Sequence, residues 1–262
     1  MPDLIAKINR YQQKINKLRP FQDEMLKQVQ DFYRIGLTWS SNAIEGNTLT
    51  ESETKILLED GLTAGGKPLK DTFEVLGHAK SYDFMFKLLH ERGVSENDIL
   101  TFHKLFYTEI DSENAGTYRN QPVLITGSRY PVSNTKDIPR KMNELILWEQ
   151  KNIDLYHPVT FAALLHKNFV FIHPFIDGNG RIARLLMNTI LIQNGYLPII
   201  IPPIQRREYI ERLELAHKDD SKFLDFIAEK EIDSQIDFSR MLGIDLYAED
   251  CNEQNEQEEP EM

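Results

Sequence analysis

The run Ile182-Ala183-Arg184-Leu185-Leu186-Met187-Asn188-Thr189-Ile190-Leu191-Ile192-Gln193 is apolar almost all the way around a helical wheel. A helix with so little polar face belongs in the middle of a protein, walled in by other elements. The chain therefore has to fold around this segment, and its 262 residues give it the means. A fold of that size buries roughly 70–75% of the surface exposed by its unfolded chain. Gly195-Tyr196-Leu197-Pro198 then closes the helix through a glycine and a following proline.

The rest of the pattern is also helical. Leu4, Ile5, Ile8, Ile15 and Leu18 fall on one stripe, and residues 98–110 and 159–172 form others. Thr50 and Glu53 make a capping box that predicts a helix over 51–60. The expected class is all-α, with one exception. Val123-Leu124-Ile125-Thr126-Gly127-Ser128-Arg129-Tyr130-Pro131-Val132 reads as a small β-hairpin around a Gly-Ser turn. A lone hairpin is marginal in water, so it either packs as an edge or serves as a flap over a site. The sequence shows no internal repeat.

Charge and cysteine usage narrow the function classes. Of the net charge of −11, seven negative charges fall in 248–262, which has no Lys or Arg, so the remaining body carries only about −4. That acidic tail is too polar to fold alone and is expected to be disordered. The body lacks the basic stripe required for nucleic-acid binding and a polybasic patch for anionic lipid. No apolar run is long enough to span a bilayer, and residues 1–20 lack the hydrophobic core of a signal peptide. Cys251 is the only cysteine, so neither a disulfide within the chain nor a cysteine metal cluster is expected. The expectation is a cytoplasmic protein with neither nucleic acid nor membrane as partner.

Two apolar helices are joined by His173-Pro174-Phe175-Ile176-Asp177-Gly178-Asn179-Gly180-Arg181-Ile182-Ala183-Arg184. Unpaired charges cost several kcal/mol each to bury, as an order of magnitude, and here two arginines outnumber one aspartate. The ligand that answers this imbalance is an anion. Gly178 and Gly180 let successive backbone N–H groups point into one concavity at a helix N-terminus, where the helix dipole also favours negative charge. Arg181 and Arg184 reach toward the same end, which suits an oligophosphate. Asp177 offers the hard oxygen by which Mg²⁺ is held together with phosphate oxygens and water. His173 can take a proton from a hydroxyl that attacks phosphorus, in a reaction governed by positioning and charge.

Gly61-Leu62-Thr63-Ala64-Gly65-Gly66-Lys67 imitates a P-loop, but Pro68 replaces the Ser or Thr that would hold Mg²⁺, and a helix precedes it instead of a strand. It reads as a helix-terminating loop.

The twelve residues from His173 to Arg184 match the signature of the Fic family in full, and the chain resembles that family from about Asp98 to Arg206-Arg207-Glu208-Tyr209, through Gly116-Thr117-Tyr118-Arg119 and the hairpin. It is most similar to Fic proteins that act as protein adenylyltransferases. The resemblance implies a helical Fic fold, ATP with Mg²⁺, and transfer of AMP to a Ser, Thr or Tyr hydroxyl of a target protein. By position, His173 would be the general base and Asp177 the Mg²⁺ ligand. Gly178, Asn179 and Gly180 would cradle the anion, Arg181 and Arg184 would clamp the outer phosphates, and Phe175 would anchor the loop. Relatives that work as kinases carry lysine at the second glycine of the signature, so Gly180 favours adenylyl transfer. The hairpin resembles the family flap, which holds the target by strand addition, with Thr126, Gly127, Ser128 and Arg129 beside the nucleotide. Tyr209 matches a position near the nucleoside, and His217 stands where some members have asparagine.

Ser41-Asn42-Ala43-Ile44-Glu45-Gly46 matches an inhibitory pattern found in many Fic proteins. By itself it also fits a helix end capped by Gly46. Beside the signature it implies that Glu45 pairs with Arg184 and fills the space of the γ-phosphate. The expected organisation is an N-terminal helical region with the brake (1–97), a catalytic core (98–217), a C-terminal helical region (218–247) and the tail (248–262). Two other functions use the same pocket: removal of AMP with Glu45 orienting a water, and nucleotide sensing without turnover. Assembly into a homo-oligomer stays open.

Overall fold

The computed structural model describes residues 1–19, 23–125 and 127–246. Thr126 and the acidic tail from 248 lie outside the described residues. Ten α-helices follow in order: α1 (Pro2–Asn16), α2 (Asp23–Ile44), α3 (Glu51–Asp60), α4 (Leu69–Lys87), α5 (Glu96–Tyr107), α6 (Ile138–Asn152), α7 (Pro158–Ile172), α8 (Asn179–Gln193), α9 (Arg206–Leu215) and α10 (Ser221–Leu242). Short 3₁₀ turns at Thr135–Asp137 and Pro203–Gln205 lead into α6 and α9.

The apolar run at 182–193 becomes α8, and the helix occupies the centre of the core. Ile182, Ala183, Leu186, Met187, Ile190 and Leu191 are all 0% exposed. α7 packs along it, and α2, α4 and α5 also border it. Asn188 is fully buried as well, with both ends of its amide in use. Its Nδ2 donates to the Ile199 carbonyl at 3.1 Å and its Oδ1 accepts from the Ile199 N–H at 2.7 Å. This pins the extended segment after Gly195, whose positive φ of 77° turns the chain out of the helix.

Local signals set the ends of other helices. Thr50 Oγ1 accepts from the Glu53 N–H and Glu53 accepts from the Thr50 N–H, closing the capping box of α3. Gly61, at φ 70°, ends that helix, and the P-loop imitation is the turn that follows. Lys67 from this turn donates to the Thr48 carbonyl and pairs with Glu53 at 3.3 Å. The stripe on α1 buries Ile8, Tyr11 and Ile15 against α10, while Leu18 lies beyond the helix end and is exposed. One buried core runs from Ile8 on α1 to Phe238 on α10.

The hairpin expected over 123–132 is not formed among the described residues. Among the described residues no strand forms, and 123–125 and 127–132 are loop, with a turn bond from the Ser128 N–H to the Ile125 carbonyl at 3.2 Å. Amides that a two-stranded ladder would pair are engaged elsewhere. The Arg129 N–H donates to the Glu214 carboxylate at 2.7 Å, and the Tyr130 N–H donates to Ser128 Oγ at 3.2 Å. With no sheet beside it, a ribbon this short gains too little to displace those bonds.

α4 and α5 cross so closely that a Cβ built on Gly77 would lie 2.1 Å from the Phe106 carbonyl oxygen. Backbone cannot yield as a side-chain tip can, so Gly77→Ala is expected to destabilise by about 2–3 kcal/mol. Thermal unfolding should show a midpoint lowered by roughly 5–10 °C, and an unchanged midpoint would contradict the close crossing.

Candidate functional site

The site is the joint between α7 and α8. α7 ends in the left-handed conformation at His173, whose φ of 53° is the one positive value at a non-glycine among the described residues. Histidine tolerates this region better than most side chains, but the geometry still needs support. Arg119 supplies it from below. Its Nε donates to the His173 carbonyl at 2.8 Å, its own N–H donates to the Pro174 carbonyl at 2.9 Å, and its guanidinium also holds Gln121 and Ser133 carbonyls.

The loop between the helices is clasped internally. Asn179 Oδ1 accepts from the Phe175 N–H at 2.9 Å and its Nδ2 donates to the Phe175 carbonyl at 2.8 Å. Phe175 is fully buried and stacks on the His103 ring at 3.8 Å between centroids. His103 in turn accepts from the Gly116 N–H through Nδ1 and donates from Nε2 to the Asp177 carbonyl at 3.2 Å. Burial lowers its pKa to about 4, so the ring is neutral and keeps that tautomer. Gly178 sits at φ 80° against Phe106, and α8 begins with its free N–H groups at this turn.

The two arginines of the loop have different surroundings. Arg184 is 3% exposed. Its Nη2 pairs with Glu45 Oε1 at 2.8 Å and donates to the Ser41 carbonyl at 2.9 Å, and its Nε donates to Ser41 Oγ. Tyr209 lies beside it and shares its hydroxyl with the buried His166 at 2.7 Å. Arg181 is turned to the other side. It pairs with Glu74 at 2.9 Å and with Asp177 at 3.0 Å, and it lies 4.5 Å from the centre of the Phe106 ring.

A cavity of about 410 Å³, within the range of small-molecule sites, opens between this joint, α9 and the 123–132 loop. His173, Gly180, Arg184, Tyr209 and Glu45 line it, with Gly127 and Ser128 on the loop side. Gly46 closes the end of α2 at φ 97°. Asp177, Gly178, Asn179 and Arg181 surround the loop without lining the cavity, and Arg129 faces Glu214 through its backbone. A Cβ on Gly180 would lie 2.3 Å from Glu45 Oε1, so the bare glycine is what lets the Glu45 carboxylate sit there.

The charges follow from these contacts. Burial pushes the Glu45 carboxyl up, but Arg184 and Arg181 outweigh it and hold the carboxyl below its usual range. Burial and the Arg119 guanidinium lower His173 to about 4, which leaves a neutral imidazole at physiological pH, able to accept a proton. Burial also opposes the Asp177 charge, yet Arg181, the Gly178 N–H and Lys70 keep it ionised. Among the described residues no group of three or more His, Cys, Asp or Glu could hold a metal by itself. Asp177 does fit a metal shared with a ligand: Oδ1 is taken by Arg181 and the Gly178 N–H, while Oδ2 faces only the exposed Lys70 ammonium at 3.7 Å.

Arg119, His103, His166 and Glu74 support the joint, and sequence reasoning gave them no such role. Arg119 lay in the Gly116-Thr117-Tyr118-Arg119 run that the resemblance covers, whereas His103, His166 and Glu74 carried no signal in the sequence.

A sequence profile of the Fic/DOC family matches residues 93–191. Proteins named protein adenylyltransferase Fic from Drosophila erecta and Nematostella vectensis are each 37% identical over 194 and 205 residues, covering 73% and 76% of the chain. The chain spans 39% and 48% of those relatives, under half of their length. A Fic-domain-containing signalling protein from Bacteroides thetaiotaomicron superposes with a TM-score of 0.83 at 30% identity, covering 91% of this chain and 99% of that one. Fic-1 from C. elegans (aa134–508) superposes at 0.80 with 28% identity, over 92% and 72% of the two chains. No described helix is long and apolar enough to cross a membrane. From the signature, the joint it builds and a relative matched along its whole length, the chain belongs to the Fic/DOC family.

Proposed function

We propose that this chain is a protein adenylyltransferase that moves AMP from ATP to a Ser, Thr or Tyr hydroxyl of a target protein, and that Glu45 restrains it. The carrying observation is the shared cavity, in which a neutral imidazole and a buried guanidinium meet beside a helix N-terminus. His173 takes the proton of the target hydroxyl as that oxygen bonds to the α-phosphorus. The bond from the α-phosphorus to the bridging oxygen breaks, and pyrophosphate leaves with the electron pair. The loop N–H groups at Asn179 and Gly180 would stabilise the charge that develops, with the Gly178 N–H holding Asp177 Oδ1 beside them. Asp177 would hold Mg²⁺, which neutralises phosphate charge when bound. Arg184 serves the outer phosphates, whereas Arg181, tied to Glu74 and Asp177, acts by keeping Asp177 in place.

In this reading residues 1–97 supply the brake and 98–217 the catalytic core. The 123–132 loop, with Leu124 97% exposed, receives the target backbone and completes a ladder only when that strand arrives. The scarcity of cysteine supports a cytoplasmic setting.

Removal of AMP is the second reading, favoured by the position of Glu45. Its side chain remains 34% exposed and lines the cavity with His173, where it could orient a water.

Replacing Glu45 frees Arg184 and the space beside Gly180. Breaking a buried pair costs about 3–5 kcal/mol, so Glu45→Gly is expected to raise AMP transfer by roughly a hundredfold or more, and His173→Ala to abolish it. Transfer of label from α-³²P-ATP to protein reads both, and no rise for a well-folded Glu45→Gly would remove the brake from the proposal. The low pKa of His173 sets a pH expectation. The working base is the neutral ring, so kcat/KM of Glu45→Gly should hold from pH 8 to 6 and fall only as pH approaches about 4. An acid limb centred near 6.5 would show a solvated histidine instead.

A further inference from the structure

Behind the loop, α4 presents one side chain to the carboxylate of Asp177 and another to its partner Arg181. Glu74 is 5% exposed, with Oε1 on Arg181 Nη1 at 2.9 Å and Oε2 accepting from Asn47 Nδ2 at 2.9 Å. Lys70, one turn earlier, places its ammonium 3.7 Å from Asp177 Oδ2 and 3.6 Å from Glu74 Oε1. Asp177 Oδ1 already accepts from Arg181 and from the Gly178 N–H at 2.6 Å. Lys70 therefore stands at the one oxygen left for another cation. The neighbouring rings add no charge: burial lowers His103 to about 4, and burial, helped by Asp177, raises Tyr107 to about 12. The four charges in contact, Lys70, Arg181, Glu74 and Asp177, sum to zero.

We propose that Lys70 and Glu74 are positioning residues that set how strongly Asp177 takes a divalent cation. Glu74 shares Arg181 with Asp177, so that the guanidinium does not neutralise the carboxylate alone. Lys70 does the opposite, competing with the metal at Oδ2. Asn47 lies two residues past Glu45, so the Glu74 contact also joins this charge balance to the segment that carries the brake. The inference rests on the proposed role of Asp177 as the metal ligand.

Charge arithmetic gives opposite signs for the two residues. Losing the Glu74 charge leaves the cluster at +1, which repels a divalent cation and attracts a free nucleotide anion. Losing the Lys70 charge leaves it at −1, with both effects reversed. A change that merely loosened the fold would weaken both kinds of binding together.

The test is calorimetric titration of the full chain with ADP, which lacks the γ-phosphate that Glu45 would exclude, once in excess Mn²⁺ and once in EDTA. The ratio of the two affinities measures the coupling between metal and nucleotide. For a unit charge several ångströms from the metal, Glu74→Gln is expected to lower the ratio about tenfold, and the more exposed Lys70→Gln to raise it about threefold. In EDTA, ADP should bind Glu74→Gln more tightly and Lys70→Gln more weakly than the parent. If Glu74→Gln fails to fold, Lys70→Gln decides the question alone, since its side chain is 57% exposed. Asp177→Asn separates the two levels of the reading. A ratio that collapses toward one in Asp177→Asn, with no change of the predicted sign in the α4 variants, overturns the inference and leaves the metal ligand in place. A ratio unchanged in Asp177→Asn overturns the metal assignment itself and the inference with it.

Discussion

Two guanidinium groups rise from the first two turns of α8, and both are 3% exposed. A cation that deep is tolerable only if carboxylates and carbonyls surround it, because its desolvation costs several kcal/mol, as an order of magnitude. Much of the architecture around the joint answers that demand. α2 brings the Ser41 carbonyl and Glu45 to Arg184, and α4 brings Glu74 to Arg181. The end of α2 is well suited to this, since its last carbonyls carry the negative pole of the helix dipole. The same contacts that make the arginines affordable to bury also decide which of them is open to a ligand. Arg184 faces the cavity and Arg181 does not.

The joint itself depends on two consecutive reversals of the backbone. His173 and Gly178 both have positive φ, at 53° and 80°, and between them the chain leaves one helix and enters the next within five residues. Asn179 locks the turn by bonding both polar groups of Phe175, while Arg119 holds the His173 carbonyl. A histidine in the left-handed region costs about 1–3 kcal/mol, and such strain persists where surrounding contacts over-determine the position. The backbone that carries the imidazole is thus fixed at the cavity wall.

The twelve residues from His173 to Arg184 carried most of what was legible about the site, because their interactions are largely local. The turn at Gly178, the Asn179 clasp and the start of α8 all join positions within a few residues of one another. The central burial of α8 was equally plain from its lack of a polar face. The 123–132 segment misled for the opposite reason. Its β-branched and aromatic residues fit a strand, but a strand exists only with a partner. Here Glu214, far along the chain, took the Arg129 amide, and Tyr130 stacked on the His217 ring at 3.9 Å. The partners of Arg181 were equally hidden. Its pairing with Glu74, more than a hundred residues away, is a contact that no local spacing contains.

Sequence by itself therefore determined the helical class, the buried central helix and the local geometry of the loop, since periodicity, glycine positions and side-chain types act over a few residues. Tertiary structure decided the surroundings of the loop's side chains. It lowered the His173 pKa through burial, set Glu45 against Arg184 beside a glycine with no Cβ to exclude it, and gave Arg181 and Asp177 their partners on α4. Desolvation and ion pairing depend on which distant segments meet, and the chain order of residues does not contain that distance.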